Sequence, residues 1–266
     1  MELNRIYNED CLEGMKKIED KSIDMILCDL PYGTTACKWD TIIPFELLWE
    51  QYERIIKDNG AIVLTASQPF TSALVMSNPK LFRHSWVWNK RYSANYPQAK
   101  NQPMKIHEDI VVFSKKRANY TPVMTKRDIP IKKGANKGAE VFHSGLDRKD
   151  YVGKIYDEKY PESIILFPTR QEGKKIHPTQ KPVALFEYLI KTYTNEGEIV
   201  LDNCMGSGTT AIACLNTNRN YIGFELDEGY YKTSLDRIKK HKEEWNEELL
   251  WKNYQTVFKM VIFGLS

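Results

Sequence analysis

Short apolar runs recur along the chain, each ending in polar or turn residues: Ile23 to Cys28, Ala61 to Thr65, Ser85 to Trp88, Asp109 to Phe113, Ile199 to Leu201 and Tyr221 to Phe224. Runs of this length predict strands buried on both faces of a parallel sheet. Between them, Phe45 to Lys57 and Pro182 to Tyr193 return an apolar residue every three or four positions, the period of an amphipathic helix. Strand and helix alternate, so the expected class is α/β, with a doubly wound, mostly parallel sheet. The interval 116–175 breaks this rhythm with Gly134, Gly138, Gly145, Gly153 and scattered prolines. It reads as an insertion into a domain made of residues 1–115 and 176–253. A charged helical stretch follows Glu225, from Tyr230 to Trp251. The apolar tail 254–266 is expected to dock on the core or on a partner subunit, which keeps a homodimer open.

Composition narrows the class. The chain has 266 residues, 42% hydrophobic and 27% charged, enough for one α/β domain with an insertion. Its longest apolar runs fall short of the roughly 18 residues a membrane span needs. The first ten residues hold no signal-peptide core, so the cytoplasm is the expected location. Five cysteines, an odd number with no Cys-x-x-Cys pair, argue against a zinc site or a disulfide framework, and no metal is expected. The net charge is only +3, yet from Lys115 to Lys175 there are 15 Lys/Arg against 8 Asp/Glu. The inserted segment is therefore strongly basic and the remainder acidic.

Two stretches carry candidate chemistry. In the first, Ile199-Val200-Leu201-Asp202-Asn203-Cys204-Met205-Gly206-Ser207-Gly208-Thr209-Thr210 reads as a strand, a glycine turn and a helix start. The glycines let the backbone approach a ligand, and the N-H groups of the helix start favour a negative group. Seventeen residues past Gly208, Glu225 closes the next strand, where a carboxylate can accept both hydroxyls of a ribose. Together they suggest an adenosine-containing cofactor. A nicotinamide dinucleotide usually wants a third glycine, and Ala211 stands where one would be sought. A plain strand-to-helix turn answers the same pattern.

In the second, the strand Ile23 to Cys28 delivers Asp29-Leu30-Pro31-Tyr32 to the carboxyl edge of the sheet. An amino group conjugated to a nucleobase is a poor nucleophile, because its lone pair is delocalised into the ring. The Asp29 carboxylate and the Leu30 carbonyl can both accept its N-H bonds and turn that lone pair toward a methyl donor. Pro31 fixes the backbone that holds the carbonyl, and Tyr32 offers a flat face to an extruded base. A strand-ending bend is the simpler reading of the same four residues.

These residues resemble the amino-methyltransferases of DNA, whose catalytic motif is Asp/Asn/Ser-Pro-Pro-Tyr/Phe and whose cofactor loop reads like Asp-Pro-Phe-x-Gly-x-Gly. Here the catalytic turn precedes the glycine loop by 177 residues, with a basic segment between, an order similar to that of the circularly permuted β group. The resemblance implies S-adenosylmethionine as cofactor, held by Asp10 and Cys11 near the adenine and by Asp202, Cys204, Gly206, Gly208, Thr209, Thr210 and Glu225. The permutation also asks Leu3 to Tyr7 to supply a strand beside the one ending at Glu225. His177-Pro178-Thr179-Gln180-Lys181-Pro182 is similar to the element near the methionine end, which assigns Thr179 and Lys181 to its carboxylate. Trp88-Asn89-Lys90 and His107 to Lys115 are similar to the last two core strands and read as mainly structural. Tyr92, Asn95 and Tyr96 between them are candidates for lining the base pocket. Leu30 departs from the usual proline but keeps the carbonyl. Asn203-Cys204 departs from Pro-Phe and removes an aromatic contact to the cofactor.

The basic segment falls where the resemblance places target recognition. Lys126, Arg127, Lys132, Lys133, Arg148 and Arg170 are the candidates for contacts to double-stranded DNA. Aspartate at the head of the turn favours adenine N6 over cytosine N4 as the methylated amino group. The alternatives are an RNA amino-methyltransferase, a glutamine-directed one, a catalytically silent DNA-binding relative and a nicotinamide oxidoreductase.

Overall fold

A computed structural model describes residues 1–34, 40–93, 95–133, 154–169 and 180–263. Its centre is Ile23–Cys28 (β2), six residues that are all buried. Side chains alternate across the pleat. Met25 and Leu27 enter the apolar layer covered by Val183–Tyr193 (α4) and Thr209–Asn216 (α5), whereas Ile26 and Cys28 enter the layer under Phe45–Ile55 (α2), which Ile23 joins because the register is irregular between Ile23 and Met25. One strand thus feeds two cores, as a doubly wound sheet requires. The run's polar member, Asp24, is tolerated because Lys57 Nζ (2.6 Å) and the Ile199 N-H (3.0 Å) bond its two oxygens. In α2, Leu48, Trp49, Tyr52 and Ile55 form the buried stripe, and side chains of this size contribute roughly 1.5–3 kcal/mol each.

The sheet has eight strands in the order Arg5–Tyr7 (β1), Asn220–Phe224 (β10), Ile199–Asp202 (β9), β2, Ile56–Ala66 (β3), His107–Phe113 (β5), Phe82–Asn89 (β4) and Ile164–Leu166 (β8). Every pairing is parallel except those of β5, which runs antiparallel to both β3 and β4. The run Asp109 to Phe113 was expected in a parallel setting. Its direction follows from the link before it: residues 90–106 return along the same edge without a crossover helix, and the Lys90 N-H bonds the Ile106 carbonyl at 2.7 Å. The amino-terminal strand pairs with β10 as the permuted order asks, Ile6 opposite Gly223.

Two further boundaries differ from the sequence reading. Strand β8 lies inside the segment 116–175 yet adds to the main sheet beside β4. The final helix, Glu228–Phe263 (α6), continues through most of the stretch read as a separate tail. Residues Pro122–Ser163 form a compact unit of their own. It holds an antiparallel pair, Thr125–Lys133 (β6) with Lys154–Lys159 (β7), whose Ile129, Ile131 and Ile155 are exposed. Among the described residues no helix is long and apolar enough to cross a membrane.

Candidate active site and cofactor cleft

Strands β2 and β9 are neighbours, Met25 opposite Val200 and Ile26 opposite Leu201. From β2 the chain moves to β3 on one side, and from β9 to β10 on the other, so a crevice opens above their carboxyl ends. A cleft of about 1260 Å³ occupies this place. The catalytic turn after β2, the glycine loop after β9, Glu225 after β10 and Asp10-Cys11 after β1 all line it.

The glycine loop is built from below. Asp202, buried at the end of β9, accepts the Cys204 N-H through Oδ1 (3.0 Å) and the Thr210 hydroxyl through Oδ2. Burial pushes this carboxyl up to about 6, against the pull of those two donors. Gly206 and Gly208 have φ of 52° and 79°, in the left-handed region, and a Cβ at Gly208 would meet Ser234 Cβ at 3.2 Å. Arg237 of α6 holds the turn from the side: its Nη1 donates to the Ser207 carbonyl (2.9 Å), Ser207 Oγ (3.1 Å) and Thr209 Oγ1 (3.1 Å). Asn203, where the family has proline, accepts from Tyr52 Oη and donates toward the sulfurs of Cys11 (3.7 Å) and Cys204 (3.6 Å). Burial raises the Cys28 thiol to about 12, and the neighbouring Cys204 thiol together with burial raises Cys11.

Glu225 stands at the rim. Its Oε2 accepts the Gly206 N-H (2.7 Å) and its Oε1 the Asp227 N-H (2.8 Å), so the carboxylate is oriented by backbone while each oxygen keeps a second lone pair. Burial raises its pKa, with those N-H groups opposing. Asp10 caps Cys11–Met15 (α1) through Oδ1, accepting from Leu12 (2.9 Å) and Glu13 (3.2 Å). Oriented acceptors beside a glycine turn in one cleft fit the hydroxyls and amino group of an adenosine.

The other half of the cleft is a connected charge network. Tyr32 Oη donates to Asp29 Oδ1 (2.9 Å) and lies 3.0 Å from Thr65 Oγ1, which itself donates to Asp29 Oδ1. Thr65 reaches this point because β3 pairs in parallel with β2. One face of Tyr32 stacks on Phe70, with ring centroids 5.1 Å apart, and burial pushes its phenol well above the usual range. Lys181 Nζ lies 2.9 Å from Asp29 Oδ2 and 3.4 Å from Glu108 Oε2, and Lys90 Nζ donates to Glu108 Oε1 at 2.8 Å. Burial is the largest influence on both Lys181 and Glu108 and opposes their charge, but it is outweighed at Lys181 by Asp29 and Glu108 acting together and at Glu108 by Lys181 and Lys90 acting together. Both therefore stay ionised. Leu30 is buried, and Asp40 holds the next turn by accepting from the Gly33 and Thr34 N-H groups (2.8 and 2.9 Å).

Most expected residues therefore meet in one cleft, with specific differences. Lys181, expected at the cofactor's carboxylate, has its ammonium on Asp29 and Glu108. Of the loop before β5, Tyr92 lines the cleft whereas Asn95 turns inward to bond the Lys105 N-H. Lys126, Arg127, Lys132 and Lys133 all lie on β6, and Arg127 Nε donates to the Glu158 carbonyl (3.0 Å). Thr179, Arg148 and Arg170 lie outside the described residues. Sequence reasoning missed Thr65, Asp40 and Arg237 and took Glu108 and Lys90 as structural. Among the described residues no group of three His, Cys, Asp or Glu could hold a metal ion.

The profile of the N6/N4 DNA methylase family matches residues 23–236. The chain belongs to this DNA methylase family. The methylase is 29% identical over 252 residues to the DNA adenine methyltransferase YhdJ of Escherichia coli, covering 89% of the chain and 83% of that protein. It is 28% identical over 251 residues to the Type II methyltransferase M1.MboII of Moraxella bovis, covering 86% and 94%. Among solved structures it matches the complex of M1.HpyAVI with S-adenosylmethionine at a TM-score of 0.61 and 26% identity, covering 88% of the chain and 98% of that structure. It is thus an S-adenosylmethionine-dependent DNA methyltransferase of the β group, and the sequence expectation of family, fold and cofactor stands.

Proposed function

We propose that this methylase transfers a methyl group to adenine N6 of a base flipped out of duplex DNA, with Asp29 to Tyr32 as its reacting turn. The observation that carries the reading is that Asp29 and the Gly206-Glu225 pair, distant in sequence, line one cleft. Support for adenine comes from aspartate at the head of the turn and from a relative named as an adenine methyltransferase. Cytosine N4 is the second reading, since the same turn reshapes either amino group.

Bound S-adenosylmethionine supplies an electrophilic methyl carbon. Asp10, Cys11 and Glu225 would hold its adenosine beside the Asp202 to Thr210 loop, and Thr179 would serve its carboxylate. Tyr32 and Thr65 occupy Asp29 Oδ1 and fix the carboxylate plane, so that Oδ2 and the Leu30 carbonyl take the two N-H bonds of the amino group. The nitrogen lone pair then points out of the ring plane, and Asp29 or water takes the released proton. Basic residues of the insertion, Lys126, Arg127, Lys132, Lys133, Arg148 and Arg170, hold the duplex by its phosphates. We place this DNA-directed work in the cytoplasm.

Asp29→Ala tests the assignment. Methyl transfer to duplex DNA is expected to fall below detection while calorimetric affinity for S-adenosylmethionine stays within about threefold, because the side chain acts on the base and not on the cofactor. Undiminished turnover in that variant contradicts it.

A further inference from the structure

Glu108 is a half-buried carboxylate of the cleft to which this mechanism gives no task. It stands second in β5, and it reaches the reacting edge, opposite Trp88, because that strand runs antiparallel. Its Oε1 is satisfied by Lys90. Its Oε2 is buried without a hydrogen-bond donor, although Lys181 Nζ is only 3.4 Å away. A buried acceptor left short of a donor is unfavourable and takes one that can move closer. That donor is at present 2.9 Å from Asp29 Oδ2. With Oδ1 engaged by Tyr32 and Thr65, Oδ2 is the oxygen an incoming amino group needs. Lys181 stands in its way. The rings of Tyr32 and Trp88, with centroids 5.7 and 6.0 Å from Nζ, flank the ammonium and favour its charge on either side.

Resting on the assignment of Asp29, we infer that Glu108 is a positioning residue that draws the Lys181 ammonium off Asp29 Oδ2 as the exocyclic amino group of the flipped base arrives. Lys181 supplies Oδ2 with an N-H donor until the base supplies its own. A short shift toward Glu108 Oε2 turns the 3.4 Å ion pair into a hydrogen bond and clears the oxygen. The ammonium keeps its three protons throughout. With Glu108 neutral, Lys181 stays on Asp29 and competes with the base.

The test uses the full chain, unmethylated duplex DNA and saturating S-adenosylmethionine. In Glu108→Gln, kcat is expected to fall on the order of a hundredfold, the cost of a misplaced reacting group, with cofactor Kd within about twofold of wild type. Glu108→Asp keeps the charge and falls between the two. The double variant Glu108→Gln/Lys181→Met removes the competing ammonium and is expected to turn over faster than Glu108→Gln alone, a rescue that a packing role does not give. Normal kcat in Glu108→Gln, or a double variant no faster than the single one, overturns the inference. Should Glu108→Gln fail to hold cofactor, the same question is carried by Glu108→Asp, whose kcat falls at unchanged cofactor Kd or the inference is wrong. Asp29→Ala separates the two readings. If it turns over, the Asp29 assignment fails and takes the inference with it; if it is inactive while Glu108→Gln is normal, the inference alone fails.

Discussion

Asp202 shows how the site's residues couple to the stability of the fold. Burial raises its pKa from 3.8 to about 6, so between these values the folded chain binds a proton that the unfolded chain does not. This contribution favours folding on the acid side and is lost as pH rises through about 6. The melting temperature of the wild type relative to Asp202→Asn is therefore expected to improve as pH falls from 7 to 5. An unchanged difference counts against the assignment. At this scale the sequence was legible where a residue follows directly from a strand end, as Asp29, Asp202 and Glu225 do. It was silent on Thr65 and Asp40, whose bonds to the turn depend on strand register and on a return of the chain that no local pattern encodes. Glu108, read as mainly structural, lines the cleft, and its place at the edge depends on the direction of β5.

Among the elements, the glycine loop and α6 form one unit through Arg237. Each of its three hydrogen bonds is worth roughly 0.5–1.5 kcal/mol, and loss of them frees the loop that carries Gly206 and Gly208. Arg237→Ala is expected to raise the cofactor KM roughly tenfold with kcat at saturation little changed, the mark of lost uniform binding. A fall in kcat at unchanged KM contradicts this coupling. Apolar runs identified the core strands because burial on both faces leaves a strong signal. The same runs carry no sign of direction, which is why β5 was expected in a parallel setting. Strand β8 escaped notice because Ile164 and Leu166 are exposed at the sheet edge, with too little burial to mark three residues inside a basic segment.

For the whole molecule, the excess of positive charge sits in the segment 115–175, which holds the compact unit Pro122–Ser163. Replacing Lys126, Arg127, Lys132 and Lys133 by alanine is expected to flatten the dependence of log affinity for DNA on log salt by about 0.9 for each phosphate that is no longer neutralised. Cofactor affinity is expected to be unaffected, and an unchanged salt slope removes these residues from the DNA interface. Methyl transfer to the amino group of adenine is tested by incubating the protein with methyl-labelled S-adenosylmethionine and unmethylated duplex DNA, digesting the DNA and identifying the labelled nucleoside. Label is expected in N6-methyldeoxyadenosine. Label confined to cytosine, or none despite demonstrated cofactor binding, contradicts it.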